Sequence, residues 1–147
     1  MQKGFTLIEL IVTMAIIAVL SGIILFSVTQ YINKGKDSNV AGNLAVLVPA
    51  GEVYYNGNNN SYQDFCDPIK TSVVKNAISQ MPKNPAGNCY DESKNPAGIC
   101  CYAESQAWAA CGQKFTDKNL AFCVDSRGVK TDINSADCKS SITQCRN

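Results

Sequence analysis

The sequence predicts an α+β protein in which a long N-terminal α-helix, membrane-spanning in its first half, packs against a small head with an antiparallel β-sheet. Three observations lead to this prediction. The chain of 147 residues opens with a long apolar run, an amphipathic helical pattern follows, and short strand-like segments separated by turns fill its C-terminal part. A chain of this length suits one domain with its own hydrophobic core.

The N-terminal apolar run is long enough to cross a membrane. Apart from Glu9, no residue between Lys3 and Lys34 is charged at neutral pH. Residues 10–33 would span roughly 36 Å as a helix, against a hydrocarbon core of about 30 Å. A cleaved secretory signal is the alternative, but its apolar region is normally about 7 to 15 residues, and no A-x-A-like site closes this run. Glu9 needs a partner of opposite charge, because an isolated carboxylate is costly near the bilayer core.

At this point the residues match a known family. Residues 3–9, Lys-Gly-Phe-Thr-Leu-Ile-Glu, resemble the processing site of type IV pilins and of their secretion-system relatives, the pseudopilins. The resemblance implies that a membrane-embedded prepilin peptidase cleaves between Gly4 and Phe5 and that the new Phe5 amine is methylated. It also implies that Glu9 pairs with the positive N-terminus of a neighbouring subunit and thereby selects the axial register of the packed helices.

The amphipathic pattern extends the helix beyond the membrane. The residues that carry it recur at helical spacing of four and three, which predicts one buried face; they are Val40, Leu44, Leu47, Gly51 and Tyr54. We therefore predict a cleaved leader at 1–4, a stalk helix at 5–55 with its membrane and assembly part at 5–33, and a disulfide-rich head at 56–147. The resemblance to pilins implies that the sheet of the head lies on the second half of this helix.

The head is predicted to contain one short helix and three strands, the last of which turns into a short extension. Residues 56–61 form the loop that ends the first helix, and 67–81 carry a helical pattern with Asp67 as N-cap, Pro68 at the first position, and Ile69, Val73 and Ile78 as its apolar residues. Strands are predicted at 99–102, 107–115 and 120–124, and a turn at 125–128 leads into a short extension at 129–133. Two Asn-Pro-Ala-Gly sequences, at 84–87 and 95–98, predict further turns.

Eight cysteines indicate disulfide bonds formed in an oxidising compartment, so the head should lie outside the cytoplasm. They are Cys66, Cys89, Cys100, Cys101, Cys111, Cys123, Cys138 and Cys145. A zinc site is the alternative, but no C-x-x-C pair occurs. Adjacent Cys100 and Cys101 point to opposite faces of a strand, so each is expected to pair elsewhere. The sequence does not select among roughly a hundred connectivities. Resemblance to the disulfide-bounded C-terminal region of many pilins favours Cys138 with Cys145.

Composition argues against an enzyme. Lysine and arginine total 13 against 12 acidic residues, and the net charge of +1 gives no electrostatic reason to expect nucleic acid as a partner. Histidine, the usual general base and a common zinc ligand, is absent. Asp125 and Asp132 flank a glycine-containing loop, but their spacing matches no calcium loop, and a solvated hairpin turn is the preferred interpretation. We expect no catalytic residue, no cofactor and no metal.

The resemblance predicts a structural subunit of a type IV pilus filament, serving adhesion, twitching motility or DNA uptake. It implies a single-pass inner-membrane protein before assembly and an extracellular filament afterwards. The implied partners are further copies of this chain, the prepilin peptidase, and the pilus assembly platform with its ATPase. The alternatives are a pseudopilin of a type II secretion system and a minor tip pilin that acts as an adhesin or binding module. Pseudopilins usually contain few disulfides, so the cysteine content favours a pilin.

Overall fold

The computed structural model of the protein describes residues 4–84 and 98–146. This part of the chain contains two α-helices, a four-stranded sheet and a short 3₁₀ helix, and it confirms the predicted α+β class. The elements are α1 (Leu7–Gly57), α2 (Ser72–Gln80), β1 (Ile99–Ala103), β2 (Trp108–Gln113), β3 (Leu120–Asp125), β4 (Lys130–Asn134) and the 3₁₀ helix (Ser135–Asp137). Lys3, Cys89 and most of the two predicted Asn-Pro-Ala-Gly turns lie outside the described residues.

The chain divides into two compact units, and the first ends at Asn33. It contains the apolar half of α1, which begins at Leu7. Its large apolar side chains that the structure describes are between 45% (Val28) and 82% (Phe5) exposed. By length and composition alone, α1 is able to cross a membrane. An apolar surface this extensive marks a membrane or protein contact, since soluble monomers rarely expose one.

The second unit, from Lys34 onward, contains the rest of α1 and the head. The predicted apolar face of α1 is confirmed: Val40, Leu44 and Leu47 are almost completely buried, and Gly51 is buried with them. Val40, Leu44 and Leu47 belong to one core cluster with residues of the sheet face that the helix covers. Those sheet residues are Ile99, Trp108, Ala110 and Val124.

The sheet has the order β1-β2-β3-β4, and each neighbouring pair is antiparallel. The three predicted strands and the predicted extension, which forms β4, lie within two residues of their predicted bounds. Short runs of apolar and β-branched residues between turn signals determine them locally. The predicted turn between β3 and β4 is also present. Gly128 has a φ of +78° there, a conformation that glycine adopts without steric cost. Its backbone N–H donates to the carbonyl oxygen of Asp125 at 2.9 Å.

The prediction for the segment at 67–81 is wrong at its start. Helix α2 begins at Ser72, and Asp67 is not its N-cap. The Asp67 carboxylate instead accepts a hydrogen bond from the backbone N–H of Ile69 at 2.9 Å. This local turn competes with helix formation, as aspartate side chains commonly do. As a result, Ile69 is 92% exposed and contributes nothing to the core, while Val74, Ala77 and Ile78 form the buried side of α2.

Gly51 gives α1 its close contact with the sheet. A Cβ atom there would lie 2.6 Å from Nε1 and 2.9 Å from Cε2 of Trp108, whose indole ring is fully buried. We predict that Gly51→Ala lowers the free energy of unfolding by about 1 to 2 kcal/mol, because overpacking outweighs the better helix propensity of alanine. Urea unfolding of the detergent-solubilised chain, followed by fluorescence of its single tryptophan, measures this.

Gly42 is the matched control for this substitution. It lies in the same half of α1, and nothing comes within 4 Å of a Cβ placed on it. Gly42→Ala is therefore expected to stabilise the protein by up to about 1 kcal/mol through helix propensity alone. Equal stability of the two alanine variants would contradict the proposed contact.

Candidate functional site

The predicted processing junction lies at the start of the first unit. Gly4, Phe5 and Thr6 precede α1 and are exposed. Nothing lies within 4 Å of a Cβ placed on Gly4, and the Phe5 side chain is 82% exposed. A peptide bond in exposed, non-helical chain is accessible to a protease, because a protease binds its substrate in an extended conformation and helical hydrogen bonds would have to break first.

Glu9 takes part in a capping box at the start of α1. One oxygen of its carboxylate accepts hydrogen bonds from the Thr6 backbone N–H at 2.9 Å and from the Thr6 hydroxyl at 2.7 Å. The Glu9 backbone N–H lies 3.4 Å from the same hydroxyl oxygen. Two otherwise unpaired N–H groups at the helix terminus are thereby satisfied. Sequence reasoning missed this role, although the Thr-x-x-Glu spacing is its known signature.

Three disulfides are formed within the described residues: Cys66–Cys101, Cys111–Cys138 and Cys123–Cys145. Cys100 is also disulfide-bonded. The prediction that the adjacent Cys100 and Cys101 pair elsewhere is confirmed. Cys101 joins the segment before α2, while Cys100 lies in a separate cluster on the other side of the sheet. The predicted pairing of Cys138 with Cys145 is wrong, because each bonds a strand residue that lies 22 or 27 positions before it.

Two of these disulfides, Cys111–Cys138 and Cys123–Cys145, cover the sheet face opposite α1. Cys100, Cys111 and Cys123 are completely buried there, and Cys138 and Cys145 from the C-terminal segment lie over them. The Sγ atoms of Cys100, Cys111 and Cys138 lie within 4.8 Å of one another. Such a sulfur cluster would suit a soft metal ion only as thiolates, and all three of these sulfurs are in disulfides. We therefore interpret the cluster as a structural element of the head.

Asp125 connects the turn between β3 and β4 to the C-terminal segment. Its fully buried carboxylate accepts hydrogen bonds from the Arg127 guanidinium at 2.6 and 3.1 Å and from the Cys145 backbone N–H at 3.0 Å. Its other oxygen accepts from the backbone N–H groups of Arg127 and Val129. Arg127 also donates to the Cys145 carbonyl oxygen at 3.0 Å. The sequence showed the turn but not this connection, which depends on the tertiary position of Cys145.

We predict that Asp125 makes the head sensitive to acid. Burial opposes ionisation of its carboxyl group, but the hydrogen bonds from Arg127 and from the Cys145 N–H outweigh it and lower the pKa of Asp125. The stabilisation that the ionised Asp125 carboxylate provides is therefore fully present above the ordinary aspartate pKa of about 3.9. It is lost as the pH falls through the lowered pKa of the folded state. Urea unfolding at a series of pH values between 7 and 2 should show this loss for the wild type and a weaker dependence for Asp125→Asn.

Asp132→Asn is the control for acid sensitivity. Asp132 forms an ion pair with Lys114 at 2.6 Å, but both side chains are partly exposed, at 39% and 25%. Exposed pairs of this kind contribute about 0 to 1 kcal/mol. If this variant loses the acid dependence as strongly as Asp125→Asn does, the assignment to Asp125 is wrong.

Asp125 and Asp132 do not form a shared cation site. Asp125 is two residues after Cys123 on β3 and lies on the same sheet face, whereas Asp132 pairs with Phe122 on the opposite face. Asp132 instead borders a cleft of about 310 Å³ beside α1, together with Asp37 and Lys114. Asp37 accepts hydrogen bonds from the backbone N–H groups of Phe115 and Thr116. The charged groups of this cleft are therefore paired with one another or with the backbone, which does not favour catalysis.

Comparison with known proteins supports the interpretation of the N-terminus. The family described as "Prokaryotic N-terminal methylation motif" matches residues 1–25. This range includes Gly4, Phe5 and Glu9. The chain is also similar to two proteins of Moraxella bovis, "Type IV major alpha-pilin" and "Fimbrial protein Q". Each is 50% identical over 44 residues, which is 30% of this chain.

The chain matches only 28% of the length of these curated relatives. No solved structure matches it significantly. The comparisons thus show similarity to type IV pilus proteins over 44 residues and to the methylation motif at residues 1–25, and both relatives have the names of pilus proteins. The long N-terminal helix and the small antiparallel sheet agree with the α+β class predicted from the sequence.

Proposed function

We propose that this chain is the structural subunit of a type IV pilus filament. The observation that carries the proposal is the match of residues 1–25 to the methylation motif. It is supported by the exposed apolar surface of the first unit, which needs either lipid or other helices as a covering. Before assembly, lipid of the inner membrane would cover this surface. In the extracellular filament, the helices of neighbouring subunits would replace the lipid.

The precursor is cut by a prepilin peptidase between Gly4 and Phe5, and the new Phe5 amine is methylated. The exposed, non-helical chain at this junction supports the step. Residues 1–4 are thereby removed as a leader, residues 5–55 act as the stalk helix, and residues 56–147 form the head. The mature chain has an N-terminal positive charge immediately before the helix.

Glu9 pairs with this positive charge on a neighbouring subunit during assembly. The capping box supports the role, because Thr6 holds the carboxylate at the helix start before any partner arrives. A charge pair in an apolar surrounding favours one register, since any other register leaves a charge unpaired. Identical contacts repeated from subunit to subunit do not close and therefore produce a filament. The assembly platform and its ATPase supply the energy of extrusion.

Mass spectrometry of filaments sheared from the producing cells tests this function. We expect the main component to be this chain, beginning with methylated Phe5 and containing no free thiol. A chain that still begins at Met1 would contradict the proposed processing. Correct processing with only trace amounts in the filaments would instead favour the minor tip pilin, and association with a secretion complex would favour the pseudopilin.

A further inference from the structure

Three cysteines lie side by side across the sheet. Cys100 on β1 pairs in register with Cys111 on β2, and Cys111 pairs in register with Cys123 on β3. In the native protein none of these register neighbours bond to each other, because Cys111 bonds Cys138 and Cys123 bonds Cys145. The native bonds therefore bypass the nearest cysteine in the sheet.

The register neighbours are close enough to form wrong bonds. Directly opposed residues of antiparallel strands have Cα atoms about 4.5 to 5.5 Å apart, which lies within the range that disulfides span. The Sγ atoms of Cys100, Cys111 and Cys138 already lie within 4.8 Å of one another. Formation of the β2–β3 hairpin alone thus brings Cys123 to Cys111 before the C-terminal segment arrives.

Loop length also favours the wrong bonds. The native bonds Cys111–Cys138 and Cys123–Cys145 close separations of 27 and 22 residues. The alternative bonds Cys111–Cys123 and Cys138–Cys145 close separations of 123 − 111 = 12 and 145 − 138 = 7 residues. Because the probability of closure falls as about the 3/2 power of length, the alternatives are favoured roughly threefold and sixfold. We call the two alternative bonds, Cys111–Cys123 and Cys138–Cys145, the short-loop bonds.

We propose that this chain is a substrate of a thiol–disulfide isomerase of the extracytoplasmic compartment, which converts the two short-loop bonds into the two native bonds. The two native bonds interleave along the chain, so pairing each cysteine with the next one cannot produce them. The proposal assumes export of the head, which is part of the proposed function, but it does not depend on filament formation.

The exchange balances without any net oxidation or reduction. An isomerase thiolate attacks Sγ of Cys111, forms a mixed disulfide, and releases Cys123 as a thiolate. Cys123 then attacks Sγ of Cys145, so that the native Cys123–Cys145 bond forms and Cys138 leaves as a thiolate. Cys138 attacks Sγ of Cys111, which completes the native Cys111–Cys138 bond and returns the isomerase thiolate.

Burial of the four cysteines restricts the exchange to the time before folding is complete. Once the C-terminal segment has docked, Cys111 and Cys123 are completely buried, and Cys138 and Cys145 are only 4% and 5% exposed. No isomerase thiolate reaches them in that state. The Asp125 hydrogen bond to the Cys145 backbone then holds the correctly bonded segment in place. Exchange must therefore act on the open chain.

Reoxidation of the full-length chain tests the proposal. The purified chain is reduced and denatured, transferred to detergent, and oxidised with diamide, and reduced protein disulfide isomerase is then added. Trypsin separates the four C-terminal cysteines, since Lys114, Arg127 and Lys139 lie between them, and mass spectrometry without reduction identifies each bond. We expect short-loop bonds to exceed native bonds about threefold or more before addition, and native bonds to appear about tenfold faster with isomerase.

Two controls make the result decisive. Isomerase with alkylated active-site cysteines should have no effect. In the variant Cys111→Ala/Cys138→Ala, the Cys123–Cys145 bond has no interleaved competitor and should form at the same rate with or without isomerase. Bond mapping does not require this variant to fold. Native bonds that dominate from the first time point, or that form in the wild type at a rate unaffected by active isomerase, would overturn the proposal.

Discussion

Replacing Glu9 with glutamine is expected to abolish filaments while leaving processing intact. Glutamine at this position still completes a capping box with Thr6, so the variant removes the charge and keeps the local helix start. Breaking an ion pair in an apolar surrounding costs about 3 to 5 kcal/mol, because the remaining charge is left unpaired. In an association equilibrium this corresponds to a loss of more than about a hundredfold.

Filament yield per cell and the mass of the mature chain measure the two parts of this prediction. Glu104→Gln is the matched control, because Glu104 is an exposed residue of the head and its substitution changes the net charge equally. Thr6→Ala is the opposite change, since it removes the capping hydroxyl of Thr6 and keeps the charge of Glu9. Wild-type amounts of filament from Glu9→Gln would refute the proposed pairing with the Phe5 amine.

Trp108→Ala is expected to destabilise the head by about 3 to 5 kcal/mol. Its ring is fully buried, lies against Gly51 of α1, and packs on Phe65 with ring centroids 4.9 Å apart. Truncating a buried tryptophan to alanine has a cost of this order, because it removes contacts and leaves a cavity. Since domains are stable by only about 5 to 15 kcal/mol, much of the head's stability would be lost.

Urea unfolding followed by near-ultraviolet circular dichroism of the tyrosines and disulfides measures this loss, because the variant lacks the fluorescent reporter. Trp108→Phe is the comparison variant. The indole N–H has no hydrogen-bond partner among the described residues, so phenylalanine removes volume without breaking a hydrogen bond. We expect it to cost clearly less than alanine. An alanine variant within 1 kcal/mol of the wild type would contradict the central position of this ring.

Most secondary structure of this protein was predictable because its signals are local. The long uncharged run and the helical spacing of Val40, Leu44 and Leu47 are both visible in the chain itself. Together they predicted the helix that extends to Gly57. The strands follow from short apolar segments between turn residues. The exception is the start of α2, where the Asp67 side chain and the following proline stabilise a local turn, so that a good helical pattern does not begin where its apparent cap lies.

The disulfide pairing was not predictable in the same way. Resemblance to the disulfide-bounded C-terminal region of many pilins favours Cys138 with Cys145, which is the interpretation that the structure corrects. The native bonds depend on which cysteines the sheet register places opposite the docked C-terminal segment. The same holds for Asp125, whose hydrogen bond to Cys145 joins residues 20 positions apart.

The sequence by itself determined the N-terminal motif, the apolar helix and the strands of the described residues, since each is encoded in neighbouring residues or in a short period. Only the tertiary structure decided that Gly51 admits the indole of Trp108, that the cysteines form a row beneath the C-terminal segment, and that Asp125 holds this segment. These contacts join residues far apart in the chain, and their formation depends on strand register and packing, which no local pattern specifies.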